Sequence, residues 1–517
     1  MAQYDLLVIG GGINGLGVAT DAAARGLSVL LVEKGDFGGG TTSASSRLIH
    51  GGLRYLQFME FDLVKESLHE RGLLARQRPH LIHPIQLLIP TYAGAPLLPF
   101  EKSARKPGWM IKTGLLMYDQ FASDPLFPPH TPLSHDETLI LEPGLNPSRL
   151  KGGFVYPDAQ VEFPERVCVE LAQETVAAGG EVRNHTRVLS LTQEGSRVTG
   201  AVLHDDLTGE TFTVEARMTI NAGGPWVDVV NQTLAIAPPK MIGGTWGTHL
   251  ILPRRPGGPQ GPIYAEADKD ARPFFLLPWD NRLLVGTTDV KFEGQNPDEL
   301  AVADWEREYL LTETNRLFPH AHYTLADIEA TTIGIRPLPA SDQSAGAITR
   351  RHFLVDHALK HGISGLASIV GGKLTTYRSL AEEVTDWIEM KLEVPKPSPS
   401  HTGVIGDVLP LEALTTQCET TVRNYHLPAS LVPILVYRYG PAYLDVLGRV
   451  KRDPSLGRPL GPNTPHIEAQ VTHAVAVEFA RTVEDVVRRR LMIVPPTEEA
   501  LAGVRRVSEE RGLGLKG

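Results

Sequence analysis

Gly10, Gly12, Gly15 and Glu33 carry the first chemical signal in this 517-residue chain. They stand within DLLVIGGGINGLGVATDAAARGLSVLLVE, residues 5–33. The apolar run 5–9 reads as a strand buried on both faces. A G-x-G-x-x-G turn follows, then an Ala- and Gly-rich helical stretch 14–25, a second apolar run 27–32 and an acid. Gly10 permits a tight turn, Gly12 removes a Cβ that would block a pyrophosphate, and Gly15 lets the helix pack closely on the strand. The first helical turn, with Ile13 and Asn14, offers N–H groups and a dipole to an anion. Glu33 accepts hydrogen bonds from ribose hydroxyls and repels a 2′-phosphate. Strand, turn, helix, strand and acid together predict a dinucleotide site, without separating NAD from FAD.

Residues 38–52, GGGTTSASSRLIHGG, are too small and hydroxyl-rich for a core. Their N–H groups and hydroxyls can line a phosphate or a flavin ring. A helix is expected over 53–74, which places Arg54 and Tyr55 at a loop-to-helix junction. Two further strands are expected, 181–188 and 218–226, the second running into a glycine turn. At 369–376 a strand delivers Gly371 and Gly372, then Lys373, then a helix start at Thr375 and Thr376. His249 stands in the apolar run GTHLILP, where a lone His is usually a satisfied core residue. Arg336 precedes a proline and so is extended. Arg350 and Arg351 are neighbours in an extended segment, so one of them can face a site. Asp289, in GTTD, is expected to organise its own turn.

The elements that must position these groups belong to a chain of ordinary globular composition, 42% hydrophobic and 21% charged. The length suggests three or so structural units. The net charge of −10 argues against a broad nucleic-acid-binding face. Two cysteines, Cys168 and Cys418, exclude a disulfide scaffold and a multi-cysteine metal site; they are expected reduced and buried, and no metal is expected. The sequence has no apolar run long enough for a membrane span and no signal-peptide pattern at its start.

SASSRLIHGGLRYL (43–56) resembles the signature of FAD-dependent glycerol-3-phosphate dehydrogenases. The resemblance continues at MIGGTWGTHLILP (241–253), LLVGTTD (283–289), TIGIRPL (332–338), AITRRHFL (347–354) and GGKLTTYR (371–378), in the family's order. The chain departs from the family's pattern at Gly38-Gly39-Gly40. The resemblance implies noncovalent FAD. It implies cofactor contacts from Gly10, Gly12, Ile13, Asn14, Gly15, Glu33, Thr42, Ser45, Ser46, Leu48, His50, Gly51 and Gly52. Val188, Ala222, Gly223, Gly334, Gly372, Lys373, Leu374, Thr375 and Thr376 complete that set. It also implies sn-glycerol 3-phosphate as substrate and dihydroxyacetone phosphate as product. The substrate phosphate calls for planar, bidentate cations. Arg54, Arg336 and Arg350 are assigned to it, with Tyr55 orienting or capping. The implied catalytic set is His249, Arg336, Lys373 and Arg54. His249 is the expected general base, and Lys373 is the alternative if burial lowers its pKa.

The implied fold is α/β, with a Rossmann-type FAD-binding domain, an α+β antiparallel-sheet substrate domain and an α-helical C-terminal domain. The first two are expected within 1–393. The FAD part is roughly 1–80, 150–235 and 350–393, and the substrate part roughly 81–149 and 236–349. A linker is expected at 394–402 and the helical domain at 403–517, with helices at 411–425, 431–439, 442–450 and 467–491. The family's electron acceptor is a membrane quinone. The expected location is cytoplasmic, peripheral on the inner face of the cell membrane, with lipid contact through Lys102, Arg105, Lys106, Trp109 and Lys112. Expected partners are the substrate, the quinone and a homodimer mate, with no nucleic acid. Two alternatives stay open: a glycerol-3-phosphate oxidase that uses oxygen and makes hydrogen peroxide, and a noncatalytic flavin-binding regulatory protein.

Overall fold

The computed structural model describes residues 3–94, 106–122, 124–292, 296–341, 348–395, 399–400, 402 and 408–517. Lys102 and Arg105, and much of the 394–402 linker, lie outside the described residues.

The first sheet grows from the glycine fingerprint. Strand Gln3–Ile9 pairs in parallel with Val29–Val32 on one side and with Thr211–Asn221 on the other. Its order is Phe353–Asp356, Leu366–Val370, Thr211–Asn221, Gln3–Ile9, Val29–Val32, Glu181–Arg183, with the hairpin Thr186–Glu194 and Arg197–Asp205 added beside Thr211–Asn221. Helix Ile13–Ala24 lies on one face and packs against helices Pro164–Ala177 and Tyr377–Lys391. Leu6, Val8 and Leu31 are fully buried there, each stabilising the fold by ~1.5–3 kcal/mol. The near-continuous apolar strands reflect burial on both faces, because a parallel sheet is covered on each side.

The second sheet is almost wholly antiparallel. Its order is Val290–Lys291, Thr245–Pro253, Arg282–Gly286, Pro273–Trp279, Ile263–Glu266, Ile82–Tyr92, Leu150–Val161, Leu48–Ile49. Strand Ala330–Arg336 pairs with Thr245–Pro253, in a register that sets Gly334 opposite Gly247 and His249 opposite Thr332. A helical C-terminal unit follows, with helices Leu411–Asn424, Leu431–Tyr439, Tyr443–Arg452, Glu468–Val477 and Glu498–Arg511. Leu414, Cys418 and Val422, four residues apart, supply one buried stripe of its core. Both cysteines are free and buried.

Four expectations need correction. Residues 150–161, assigned to the FAD part, form a strand of the second sheet, paired along its length with Ile82–Tyr92. The 53–74 helix is two pieces, a 3-10 segment Leu53–Phe58 and a helix Phe61–Gln77, because Met59 adopts φ 58° between them. The strand expected over 181–188 breaks at Asn184 and His185 (φ 52°), whose side chains bond Asp36 and Asp485 instead of continuing a ladder. The 467–491 helix ends at Val477 and resumes as a π-helical turn, Asp485–Arg490. Phe479, at φ 60°, stands in the gap.

Candidate active site

The glycine turn is built as its spacing requires. Gly10 has φ 111°, and a Cβ there would lie 2.6 Å from the Ala222 carbonyl oxygen. A Cβ on Gly15 would lie 2.0 Å from the Gly10 carbonyl oxygen, so only glycine lets this helix sit on its strand. Gly12 caps helix Ile13–Ala24 without any side-chain hydrogen bond, which leaves the helix end to a ligand. Glu33 is half-buried and accepts hydrogen bonds from Gly11 N at 2.7 Å and Gly35 N at 2.9 Å. Burial pushes its pKa up, against those two bonds and the Lys34 charge.

The other segments assigned to the cofactor close around this turn. The Ile13 N–H donates to Thr42 Oγ1 at 3.2 Å, and Thr41 Oγ1 donates to the Ile335 carbonyl at 2.7 Å. A Cβ on Gly334 would lie 2.5 Å from the Ala44 Cβ. Ala222 N donates to the Ile9 carbonyl at 2.8 Å. Asn14 Nδ2 donates to the Gly371 carbonyl at 3.5 Å, and the space beside Gly372 is taken by Asn14. The His50 N–H donates to Thr375 Oγ1 at 3.1 Å, and Thr375 Oγ1 donates back to the His50 carbonyl at 3.3 Å. Segments 10–15, 38–52, 222–223 and 371–376, with Gly334 of strand Ala330–Arg336, therefore meet at one place. Val188 lies on strand Thr186–Glu194, two residues beyond Thr186, whose N–H bonds the Glu33 carbonyl at 2.7 Å. Asn14 Oδ1 is buried without a hydrogen-bond partner, a state that normally costs ~1–3 kcal/mol. With a helix end whose N-cap, Gly12, brings no side chain, it fits a cradle whose polar groups are completed by a bound dinucleotide.

Beside the cradle lies a cavity lined by Arg54, Tyr55, Arg272, Arg336 and Arg350, with Ser46, His50, Tyr156, Tyr264, Phe275 and Asp289. Three of the four arginines were assigned from sequence. Arg351, the neighbour of Arg350, is exposed, as the alternation of an extended segment requires. Gly52 shapes the entrance. At φ 77° it allows the Tyr55 ring to fold back over it, to where a Cβ would sit 2.1 Å from the ring. Tyr55 in turn lies beneath the Lys373 ammonium, 4.6 Å from Nζ to the ring centroid.

Asp289 does more than organise its turn. Its carboxylate accepts from Arg336 Nη1 at 3.1 Å and stands 3.9 Å from both Arg272 and Arg350. Burial raises its pKa, but Arg336, a Thr245 hydrogen bond, Arg272 and Arg350 together hold it below the ordinary carboxylate range. Arg336 also donates to Thr245 Oγ1 at 3.3 Å and Thr287 Oγ1 at 3.2 Å. One carboxylate facing three guanidiniums leaves a surplus of positive charge, which suits a multiply charged anion.

His249 stands one hydrogen bond behind this cavity, with Nε2 2.9 Å from Ser46 Oγ. Its Nδ1 is buried without a partner. Burial first, then Arg336 and Arg47, lower its pKa to about 3, so it is neutral at any physiological pH. Lys373 Nζ donates to Ser67 Oγ at 2.5 Å. Burial lowers its pKa to about 7, against the opposing charges of Glu66, Glu60 and Asp158. Sequence reasoning missed Arg272 and the arginine-binding role of Asp289. Arg272 lies in no matched motif and reaches the cavity only because Pro273–Trp279 is a neighbour of Arg282–Gly286 in the sheet.

Two family models match the chain. One, described as FAD dependent oxidoreductase, matches residues 5–378. The other, the C-terminal domain of alpha-glycerophosphate oxidase, matches residues 406–510. A glycerol-3-phosphate dehydrogenase of Synechocystis sp. is 42% identical over 519 aligned positions, covering 97% of this chain and 91% of that protein. The aerobic glycerol-3-phosphate dehydrogenase of Escherichia coli K12 is 34% identical over 494 positions, covering 95% and 94%. The crystal structure of a glycerol-3-phosphate dehydrogenase from Bacillus halodurans complexed with FAD superposes with a TM-score of 0.77 at 26% identity, covering 99% of this chain and 91% of that one.

Proposed function

Because this chain belongs to the FAD-dependent oxidoreductase family, we propose that it oxidises sn-glycerol 3-phosphate to dihydroxyacetone phosphate and passes the electrons to a membrane quinone. The observation that carries the substrate is the convergence of Arg54, Arg272, Arg336 and Arg350 on one cavity beside the dinucleotide cradle. A phosphate monoester near two negative charges matches their surplus charge. The names of the relatives point to the same substrate.

FAD fits the cradle, with Gly12 and the first turn of the helix at its diphosphate, Glu33 at a ribose, and residues 48–52 and 371–376 around the flavin. When bound, FAD supplies the acceptor for the hydride that leaves the substrate C2. The protein does the rest. The arginines hold the phosphate, and Asp289 holds the arginines. Tyr55, Tyr156, Tyr264 and Phe275 line the walls and limit water. Ser46 Oγ faces the cavity, and His249 Nε2 behind it receives the proton of the C2 hydroxyl through Ser46. The phosphate, seated against Arg336, offsets one of the charges that depress His249 and so raises its basicity when it is needed. Lys373, its pKa lowered to about 7 by burial, is divided between ammonium and amine near neutral pH and lies over the Tyr55 ring.

The quinone reading rests on the mouth of the cavity. Phe58 lines it, and Phe58, Met59, Trp109 and Leu116 are all exposed large apolar side chains. Trp109, Lys112 and Leu116 share the open face of helix Gly108–Phe121, which packs against residues 53–58. A cationic, Trp-bearing apolar face suits an anionic bilayer surface. Lys106 does not join it, because its ammonium is paired with Glu266. No helix among the described residues is long and apolar enough to cross a membrane.

The test is the absorbance of the bound flavin on anaerobic mixing with glycerol 3-phosphate. Prompt bleaching supports the substrate and the hydride transfer together; an unchanged oxidised spectrum overturns the substrate. Reoxidation of the bleached enzyme by a soluble quinone, with little hydrogen peroxide in air, supports the quinone over oxygen. Stoichiometric peroxide in air favours the oxidase reading.

A further inference from the structure

The loop that follows Glu33 is fixed from two sides. On the inner side Gly38 N donates to the Gly11 carbonyl at 2.8 Å, and Thr42 takes the Ile13 N–H. On the outer side Asp36, fully shielded from solvent, receives four donors on one carboxylate. Arg490 gives Nη1 at 2.7 Å and Nη2 at 2.9 Å, Arg489 gives Nε at 2.6 Å, and Asn184 gives Nδ2 at 3.0 Å. Asp36, His185 and Asp485 cluster closely enough to suggest a metal site, but the arginines already supply the counter-charge. Phe37 meets Phe479 edge-on, with ring centroids 5.9 Å apart. Arg490 is itself held by the Glu478 carbonyl at 2.7 Å, and it too is fully buried.

Both arginines come from the π-helical turn of the C-terminal unit, some 450 residues downstream of the loop they grip. The sequence makes such a turn by itself a solvated basic run, Arg488–Arg490. In the fold, Arg488 faces Glu484 at the surface while its two neighbours turn inward.

We propose that Arg489 and Arg490 are positioning residues for the cofactor: through Asp36 they set the 33–42 loop, and with it the grip of the cradle on the adenosine half of FAD. Asp36 is three residues from Glu33 and two from Gly38, so a shift of its carboxylate moves both ends of the contact with the glycine turn. The C-terminal helical unit is then a retaining clamp on the cofactor, and none of its described residues lines the substrate cavity.

The test follows FAD release from purified holoenzyme, as free-flavin fluorescence after dilution. It uses Arg489→Gln, which alters the partly exposed arginine, and Arg490→Lys, which keeps the charge but loses the fork. Arg511→Gln, which breaks the Arg511–Asp453 pair within the C-terminal unit, is the control for a general loss of stability. The expected result is release at least tenfold faster in Arg489→Gln and Arg490→Lys, with KM and kcat per bound flavin unchanged. Asp36→Asn should reproduce it, and Arg511→Gln should release FAD at the wild-type rate. Release within twofold of wild type in Arg489→Gln overturns the proposal, as does equal acceleration in Arg511→Gln. If Arg490→Lys does not fold, Arg489→Gln and Asp36→Asn decide.

Discussion

Replacing His249 by Asn tests the proton path most directly. An ordinary imidazole, with a pKa near 6.5, would be about three-quarters protonated at pH 6. At a pKa of about 3, roughly one molecule in a thousand carries the proton at that pH. Burial is the largest cause and persists when substrate binds, so the group stays below its ordinary value even with a phosphate against Arg336. The rate constant for anaerobic flavin reduction, measured by stopped flow at saturating substrate, should therefore show no His limb between pH 5 and 9. His249→Asn should lower that constant by ~10²–10⁴ at every pH, the usual worth of a positioned proton acceptor. Ser46→Ala should fall in the same direction, because Ser46 Oγ is the link to the cavity. One outcome would refute the assignment. A wild-type rate that falls tenfold per pH unit below about 7, and loses that limb in Lys373→Met, would make the neutral Lys373 amine the acceptor.

Four further outcomes follow from the same geometry. Arg336→Met removes two hydrogen bonds to a charged group at ~1.5–3 kcal/mol each, so substrate affinity should fall by ~10²–10⁴; a loss under fivefold in a flavin-bleaching titration counts against phosphate binding there. Gly52→Ala should cost ~1–2 kcal/mol in backbone strain and displace the Tyr55 ring, read as a lower Tm with a raised KM. His249, His357 and His466 have folded pKa values of about 3, about 4 and about 3, below the unfolded value, so their contribution is intact above pH ~6.5 and is lost as pH falls toward those values. At pH 5 each should cost about 2 kcal/mol, and denaturant titrations should show lower stability at pH 5 than at pH 7; equal stability at the two pH values would mean that these imidazoles are solvated. Trp109→Ala combined with Lys112→Glu should weaken sedimentation with anionic vesicles without altering anaerobic bleaching, and wild-type sedimentation would remove that face from the membrane contact.

Much of this protein is written in short windows. The βαβ unit was legible because its strand, turn, helix and acid occupy some thirty consecutive residues, and each glycine there answers a local steric demand. Gly10 and Gly15 behave in the fold as their spacing requires. The helix start at Thr376 was legible for the same reason, and so were Arg54, Arg336 and Arg350, each inside a recognisable motif. Helix and strand continuity was less legible. Met59, His185 and Phe479 break expected elements, and at His185 the backbone bends to satisfy partners some 300 residues away. What the chain alone could not disclose is charge meeting charge across the fold. Arg272 joins the cavity through sheet register, and Asp289 changes from a turn residue to the counter-ion of three arginines. His249 drops well below its ordinary pKa because burial and Arg336 act on it together. The three-arginine run reads as solvated until Asp36 is brought against it. Periodicity and glycine spacing are local constraints that a window of residues must satisfy by itself. Desolvation and Coulomb energy depend on distances that exist only once the two sheets and the helical unit have closed on one another.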